Sequence, residues 1–185
     1  MTTPAHHLAP ETARLLDASV EVRMAHIKEL PFIAHPAMVR ALHWLSYLRR
    51  FDSHRDRPRN LHVIGVAGIG KSRLLSHYAS QHRPAPRDEQ GRLERPVLLV
   101  EAPEDGNLKR LCDGMFSACM SGMTPLRSRG SSSIDRIEDM LRLSGVQQIL
   151  IDEAGNLLNT SKSHHAQCLA FIKRLINAGF TCPIP

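Results

Sequence analysis

Hydrophobic positions recur at two different spacings along this chain of 185 residues. Apolar residues three or four positions apart predict amphipathic helices, and short unbroken apolar runs predict buried strands. The predicted helices span residues 20–30, 38–48, 72–81, 108–120, 134–143 and 168–176, and the predicted strands span 61–64, 96–100 and 148–151. Because strands alternate with helices, the pattern predicts an α/β fold with a mostly parallel sheet and helices on both of its faces.

Polar segments separate these elements. Residues 1–10 contain prolines and predict a loose terminus. A basic segment, residues 49–60, precedes the first strand, and a polar loop is predicted for residues 84–95. Residues 121–133 are rich in Gly, Ser and Arg, and there Ser132 and Asp135 have the spacing of a capping box that opens the next helix. No internal repeat is visible.

Charge and cysteine content narrow the class of protein. The formal net charge is +6, which permits a nucleic acid partner but is equally compatible with an ordinary basic surface. The four cysteines form no C-x-x-C pair, so we expect buried thiols in a cytoplasmic protein. No signal peptide and no apolar run of transmembrane length is present, and no membrane partner is expected.

The segment from Gly65 to Ser72 has the pattern G-x-x-x-x-G-K-S, between a predicted strand and a predicted helix. Gly65, Gly68 and Gly70 allow the backbone to turn its N–H groups inward around an anion. Lys71 would contact the outer phosphates of a nucleotide such as ATP, and the Ser72 hydroxyl would contact Mg²⁺. The alternative is a glycine-rich turn that holds no ligand.

A pair of acidic residues ends the third predicted strand. Asp152 and Glu153 follow the apolar run 149–151, at the edge of a parallel sheet where ligands gather. Asp152 would hold Mg²⁺, directly or through water. Glu153 would orient or deprotonate the attacking water. Without the glycine motif upstream, the same pair could simply begin an exposed turn.

Several segments together resemble the TniB group of AAA+ ATPases from bacterial transposons. They are Val20-Glu21-Val22-Arg23-Met24-Ala25-His26-Ile27, Phe32-Ile33-Ala34-His35-Pro36, Pro58-Arg59-Asn60-Leu61, Val100-Glu101-Ala102-Pro103 and Ile151-Asp152-Glu153-Ala154-Gly155-Asn156-Leu157-Leu158. The glycine motif marks only the superfamily, whereas the acidic strand and the N-terminal block point to TniB. His35 and Gly155 depart from the family pattern, which has an aromatic residue and His at those positions.

The resemblance implies a P-loop NTPase fold of AAA+ type, with three αβα layers after N-terminal helices. It divides the chain into a tail and helix, residues 1–30, and a partial nucleotide-binding domain, residues 31–185. It implies ATP and Mg²⁺ as ligands and assembly of several copies on DNA. It also implies cooperation with a DDE-type transposase in choosing or activating a target. By analogy, Phe32 and Ile33 would flank the adenine, or they are ordinary hydrophobic contacts.

Four basic residues are candidates for sequence-independent contacts with DNA phosphates. Arg127 and Arg129 lie in the Gly/Ser/Arg-rich loop, which in related ATPases faces a central channel. Lys109 and Arg110 lie near the start of the preceding predicted helix. Phosphate contacts need cations on mobile or helical supports and no reading of bases. A solvated surface is the alternative for each of them.

The resemblance also leads us to expect a C-terminally truncated member of the family. The next strand, which carries a polar sensor residue and lies between the strands of residues 61–64 and 148–151, is expected to be missing. The arginine finger and the helical lid are likewise expected to be missing, so that hydrolysis by this chain would be weak. Two alternatives remain open. One is another AAA+ helper of DNA remodelling, such as a helicase loader or an insertion-sequence ATPase. The other is a non-hydrolysing interaction module.

Overall fold

The computed structural model describes residues 8, 10–28, 32–53, 55–56, 58–86, 93–120, 133–158 and 161–183. The chain divides into two compact units, Met1–Ile33 and Ala34–Pro185. In the first unit, the short helix α1 (Pro10–Ala13) and the helix α2 (Val20–Lys28) are formed. The predicted apolar stripe of α2 is present but exposed, since Val20, Met24 and Ile27 each keep at least half of their surface accessible.

The second unit alternates helices and strands. Its elements are α3 (Pro36–Phe51), α4 (Lys71–Ser80), β1 (Ala85–Pro86), β2 (Leu93–Glu94), β3 (Val97–Glu101), α5 (Leu108–Met120), α6 (Ser133–Leu143), β4 (Gln148–Asp152), a short 3₁₀ helix (Ala154–Leu158) and α7 (Lys162–Asn177). The α/β class is thus confirmed, whereas AAA+ type stays a prediction. The segment expected to be only a loop contains the small antiparallel ribbon β1–β2. No helix in the described ranges is both long and apolar enough to cross a membrane.

The strands β3 and β4 pair in parallel and are covered on both faces. Their register sets Leu98 opposite Ile149, and Val100 opposite Ile151. These four side chains pack in one core cluster with α5, α6 and α7. The alternate positions belong to a second cluster with α3 and α4, made of Leu45, Leu75, Tyr78, Val97 and Leu150. Burial on both faces explains why each strand reads as a continuous apolar run.

A third extended segment runs beside β4. Thr181 bridges Gln148 in parallel, and the N–H groups of Ile149 and Ile151 donate to the carbonyls of Thr181 and Pro183 at 2.8 and 3.3 Å. The N–H of Cys182 in turn donates to the Asn60 side chain at 2.9 Å. The expectation that this strand is missing was therefore wrong for its first residues. They lie on the expected side of β4, next to the segment that leads to the glycine motif.

The segment expected as the first strand is not a regular strand. Residues 61–64 are extended and only His62 has a ladder partner. Leu61 nevertheless packs against the cluster beneath α3 and α4, as a buried strand residue would. The apolar run in the sequence thus reflects this packing contact. Regular strand pairing depends on neighbouring segments that a short sequence run does not reveal.

A buried carboxylate fixes the turn between α3 and this segment. Asp52 is fully buried, and its carboxylate accepts from Arg59 Nε at 2.6 Å, from Arg59 Nη2 at 3.0 Å and from the Arg59 backbone N–H at 3.2 Å. Arg55 lies 3.4 Å away. The Arg59 guanidinium lowers the pKa of Asp52 below its ordinary value, so the pair stays charged at neutral pH. The basic segment 49–60 is therefore tied to the end of α3.

The four cysteines are all buried and unpaired, as expected from their spacing. Burial raises the pKa of Cys112 and Cys182 to about 12, so both thiols stay protonated and unreactive at neutral pH. They contribute to the fold as small apolar side chains.

Candidate functional site

The glycine-rich loop, residues 65–72, has the backbone of an anion-binding turn. Gly68 and Gly70 adopt φ angles of +78° and +95°, a region that side chains other than hydrogen disfavour. Gly70 caps α4, and its carbonyl accepts the N–H of Leu74 at 2.9 Å. The first turn of α4, whose N–H groups have no acceptor within the helix, therefore follows the loop directly, and this arrangement is the one that binds phosphate.

Lys71 and Ser72 occupy the first turn of α4, as the sequence predicted. The Lys71 ammonium donates to the carbonyl oxygens of Gly65 at 3.0 Å and of Val66 at 3.4 Å, so its side chain folds back over the loop. Ser72 is exposed. In this position the lysine can exchange backbone carbonyls for phosphate oxygens by side-chain rotation alone, and the residues present fit a bound phosphate chain.

Asp152 ends β4, opposite Glu101 of β3 in the parallel register. Its side chain accepts the N–H of Glu153 at 2.9 Å. Glu153 is exposed and has a φ angle of +50°. Two carboxylates with different surroundings thus lie side by side at the carboxyl edge of the sheet, one partly buried and one in solvent.

The helix α3 contacts both the glycine-rich loop and the segment before β4. Near its end, Arg49 Nη1 donates to the side chain of Gln147 at 3.1 Å, just before β4 begins. Near its start, Met38 packs on the loop, because a methyl group added at Gly70 would come within 2.7 Å of Met38 Cε. The two segments are therefore both in contact with one helix.

An apolar cleft of about 300 Å³ opens beside the loop. Its walls come from the first half of α3, from residues 61–65 and from the start of α4, and they include His35, Met38, Trp44, Ile64 and Lys71. Trp44 keeps 49% of its surface exposed and Ile64 keeps 91%. A flat apolar ligand could therefore reach both side chains from solvent.

The structure says less about the other residues that the sequence predicted as contacts. Phe32 and Ile33 belong to the N-terminal unit, where Ile33 is exposed, and their role beside adenine stays a prediction. Arg127 and Arg129 lie outside the described residues. Lys109 and Arg110 lie in the first turn of α5, and the Arg110 side chain pairs with Asp105 at 3.0 Å. Because Arg110 is paired with Asp105, Lys109 is the better candidate of the two for the predicted contact with a DNA phosphate.

The sequence analysis did not single out two sets of residues. The cleft is lined by His35, Met38 and Trp44. Their only signal in the sequence was the position of His35 before Pro36, which opens α3. Asn156 joins the two strand ends through its side chain, which donates to the Ala102 carbonyl at 3.1 Å. Its place in the segment after the acidic pair was its only signal.

No group of three or more His, Cys, Asp or Glu residues within the described ranges is arranged to hold a metal ion by itself. Asp152 and the Ser72 hydroxyl remain the predicted metal contacts. Because Mg²⁺ in nucleotide sites takes only one or two protein ligands and completes its shell with phosphate oxygens and water, a smaller set is sufficient.

Comparison with known proteins gives one family. A family model described as Bacterial TniB protein matches residues 23–184. This range includes the glycine-rich loop, both strand ends and α3. No curated protein matches the chain.

We predict that Gly70→Ala weakens the folded state by about 1–2 kcal/mol, because alanine disfavours a left-handed backbone by that amount. The close Met38 methyl adds little, since it ends a flexible side chain. The matched control is Gly155→Ala, which has no other atom within 4 Å of its added methyl and no positive φ. Urea denaturation of both variants measures the difference. Equal stability of wild type and Gly70→Ala would contradict the left-handed conformation of the loop.

Proposed function

The chain belongs to the TniB family, which is associated with transposition, and on that premise we propose that it is a Mg²⁺-dependent ATP-binding protein acting with a transposase on DNA. The observation that supports the nucleotide part is the left-handed backbone of Gly68 and Gly70 before α4, with the Lys71 ammonium folded back over the loop. Asp152 ends β4 at the carboxyl edge of a parallel sheet, where ligands of α/β proteins bind, and this supports its assignment to the same site.

Each residue of the proposed site has a distinct task. The loop N–H groups and the start of α4 bind the phosphate chain, and Lys71 neutralises its outer charge. Ser72 and Asp152 would hold Mg²⁺, which would supply positive charge against the phosphate oxygens. Glu153, exposed and next to Asp152, accepts a proton from the attacking water. ATP thus serves as a switch for assembly, and hydrolysis by Glu153 resets it.

The cleft beside the loop suits the base of the nucleotide. It begins at Gly65 and Lys71, where the phosphates would lie, and continues along α3 to Trp44. His35 and Met38 line it as well. This assigns base contacts to α3, while the role of Phe32 and Ile33 beside adenine stays a prediction.

DNA is the second proposed partner. The net charge of +6 favours a polyanion, and phosphate contacts by Lys109, Arg127 and Arg129 would hold DNA without reading its sequence. Several copies of the chain would assemble along the DNA when ATP is bound, and a DDE-type transposase would then act on the marked target. The family relationship supports a role in transposition, and the basic residues support DNA as a binding partner.

Two other functions remain distinguishable. Another AAA+ helper of DNA remodelling would bind ATP and DNA but would not stimulate a transposase, so a transposase gene next to this one favours our proposal. A non-hydrolysing interaction module would bind its partner equally well with and without nucleotide. Titration with ATP in the presence of Mg²⁺ separates this module from both ATPases.

We predict that Lys71→Ala weakens binding of a fluorescent ATP analogue at least tenfold, because the charge facing the outer phosphates is lost. The control Lys173→Ala removes the same charge from an exposed position on α7 and should leave affinity unchanged. Fluorescence titration with Mg²⁺ measures both. Unchanged affinity of Lys71→Ala would refute the assignment of the loop.

We also predict separable roles for the acidic pair. Asp152→Ala should weaken Mg²⁺–ATP binding itself, because a metal ligand is removed. Glu153→Gln should keep binding and lose turnover, because the amide cannot accept the proton. Titration and phosphate release are measured on the same preparations. Wild-type turnover in Glu153→Gln would exclude this residue as the base.

For DNA, we predict that affinity falls steeply with salt and that Arg127→Ala combined with Arg129→Ala makes this dependence shallower by about 1–2 units of slope. The control pair Arg83→Ala and Lys173→Ala removes the same charge from exposed positions elsewhere and should leave the slope unchanged. Fluorescence anisotropy with duplex DNA at several salt concentrations provides the slopes. An unchanged slope in the first pair would exclude that loop from contact with phosphates.

A further inference from the structure

The turn that follows β4 has an unusual backbone. Glu153 is the only residue other than glycine with a positive φ angle in the described part of the chain, at +50°. Such a conformation is unfavourable for a residue with a long side chain and persists only where the surroundings enforce it. The turn therefore needs contacts that hold Glu153 in place.

Four hydrogen bonds link this residue to the end of β3. The Glu153 N–H donates to the Asp152 carboxylate at 2.9 Å, and the Glu153 carbonyl accepts the N–H of Asn156 at 2.9 Å. The Asn156 side chain donates to the carbonyl of Ala102 at 3.1 Å. Ala102 in turn donates its N–H to the Asp152 carbonyl at 2.9 Å. Asn156 thus joins the turn after β4 to the end of β3 through its side chain.

The rest of the turn is anchored on one side only. Ala154 and Leu157 are buried in the main core cluster, which fixes the 3₁₀ helix but not the peptide before it. Apart from its own residue, its chain neighbours and the local helix backbone, Gly155 has no atom within 4 Å of the position of a Cβ. Without the Asn156 side chain, only the two local hydrogen bonds of Glu153 oppose its relaxation to a negative φ, and that rotation would redirect the carboxylate relative to Asp152.

We propose that Asn156 is a positioning residue that holds Glu153 in its left-handed conformation and thereby aims the Glu153 carboxylate at the attacking water. The aim at water rests on the proposed function of the site, whereas the restraint on the backbone does not. Asn156 acts through its hydrogen bond to Ala102.

The restraint is tested first by stability, without any nucleotide. Glycine accepts a positive φ, so Glu153→Gly should raise the thermal midpoint by a few degrees in the otherwise unchanged chain. In the Asn156→Ala background the turn is already relaxed, and the same change should raise the midpoint little or not at all. Gly155→Ala serves as the background control and should leave the full gain. An equal gain in the Asn156→Ala and Gly155→Ala backgrounds would overturn the proposal.

Turnover is tested next on the same variants. Asn156→Ala should lower kcat at least tenfold and change the Mg²⁺–ATP dissociation constant less than twofold, while Gly155→Ala changes neither. Adding Asn156→Ala to Glu153→Gln should cause no further loss, because the two residues act through one carboxylate. A matching loss of affinity, or an additive loss of kcat, would overturn the proposal. Failure of the wild-type chain to bind ATP would instead refute the proposed function, and the stability comparison would still decide the restraint.

Discussion

The parallel pairing of β3 with β4 is the contact on which the rest of the second unit depends. Its register places Glu101 opposite Asp152, so both strands end at one level. Because both faces are covered by helices, a slip of one residue would move four buried side chains from one core cluster to the other. The position of Asp152 at the end of β4 is therefore fixed by packing along the whole strand.

The helix α3 contacts both the start of β4 and the glycine-rich loop. At one end it holds the start of β4, where Gln148 Nε2 donates to the Leu45 carbonyl at 3.2 Å and Arg49 holds Gln147. At the other end Met38 lies against Gly70. The ion pair between Asp52 and Arg59 fixes the turn after α3, from which the chain continues to the loop. Two segments far apart in sequence are thus both in contact with α3.

Sequence reasoning predicted those parts of the structure that depend on local pattern. The bounds of α5 follow from its apolar stripe, and β3 and β4 follow from apolar runs too short for buried helices. It failed for residues 61–64, where regular pairing depends on partners distant in the chain. It also gave no sign of the buried Asp52, since a charge next to arginines reads as an exposed segment until its burial is known.

The candidate site shows the same division. Lys71, Ser72, Asp152 and Glu153 were named from motif spacing, because the chemistry of phosphate binding restricts residue type at each position. The cleft along α3 and the tether by Asn156 arise from tertiary contacts, which no spacing encodes.

The positive φ angles at the candidate site answer two different physical requirements. At Gly68 and Gly70 the proposed phosphate ligand requires backbone N–H groups and no side chain, so glycine meets the conformation without strain. At Glu153 the proposed chemistry requires a carboxylate, so glycine would remove the strain together with the function. A strained residue there persists only because neighbouring contacts outweigh its cost. The hydrogen bond from Asn156 to the end of β3 supplies such a contact, and it draws on the same β3–β4 register that fixes Asp152. The pairing of the two strands therefore sets the position of the proposed metal contact and, through Asn156, the conformation of the residue beside it.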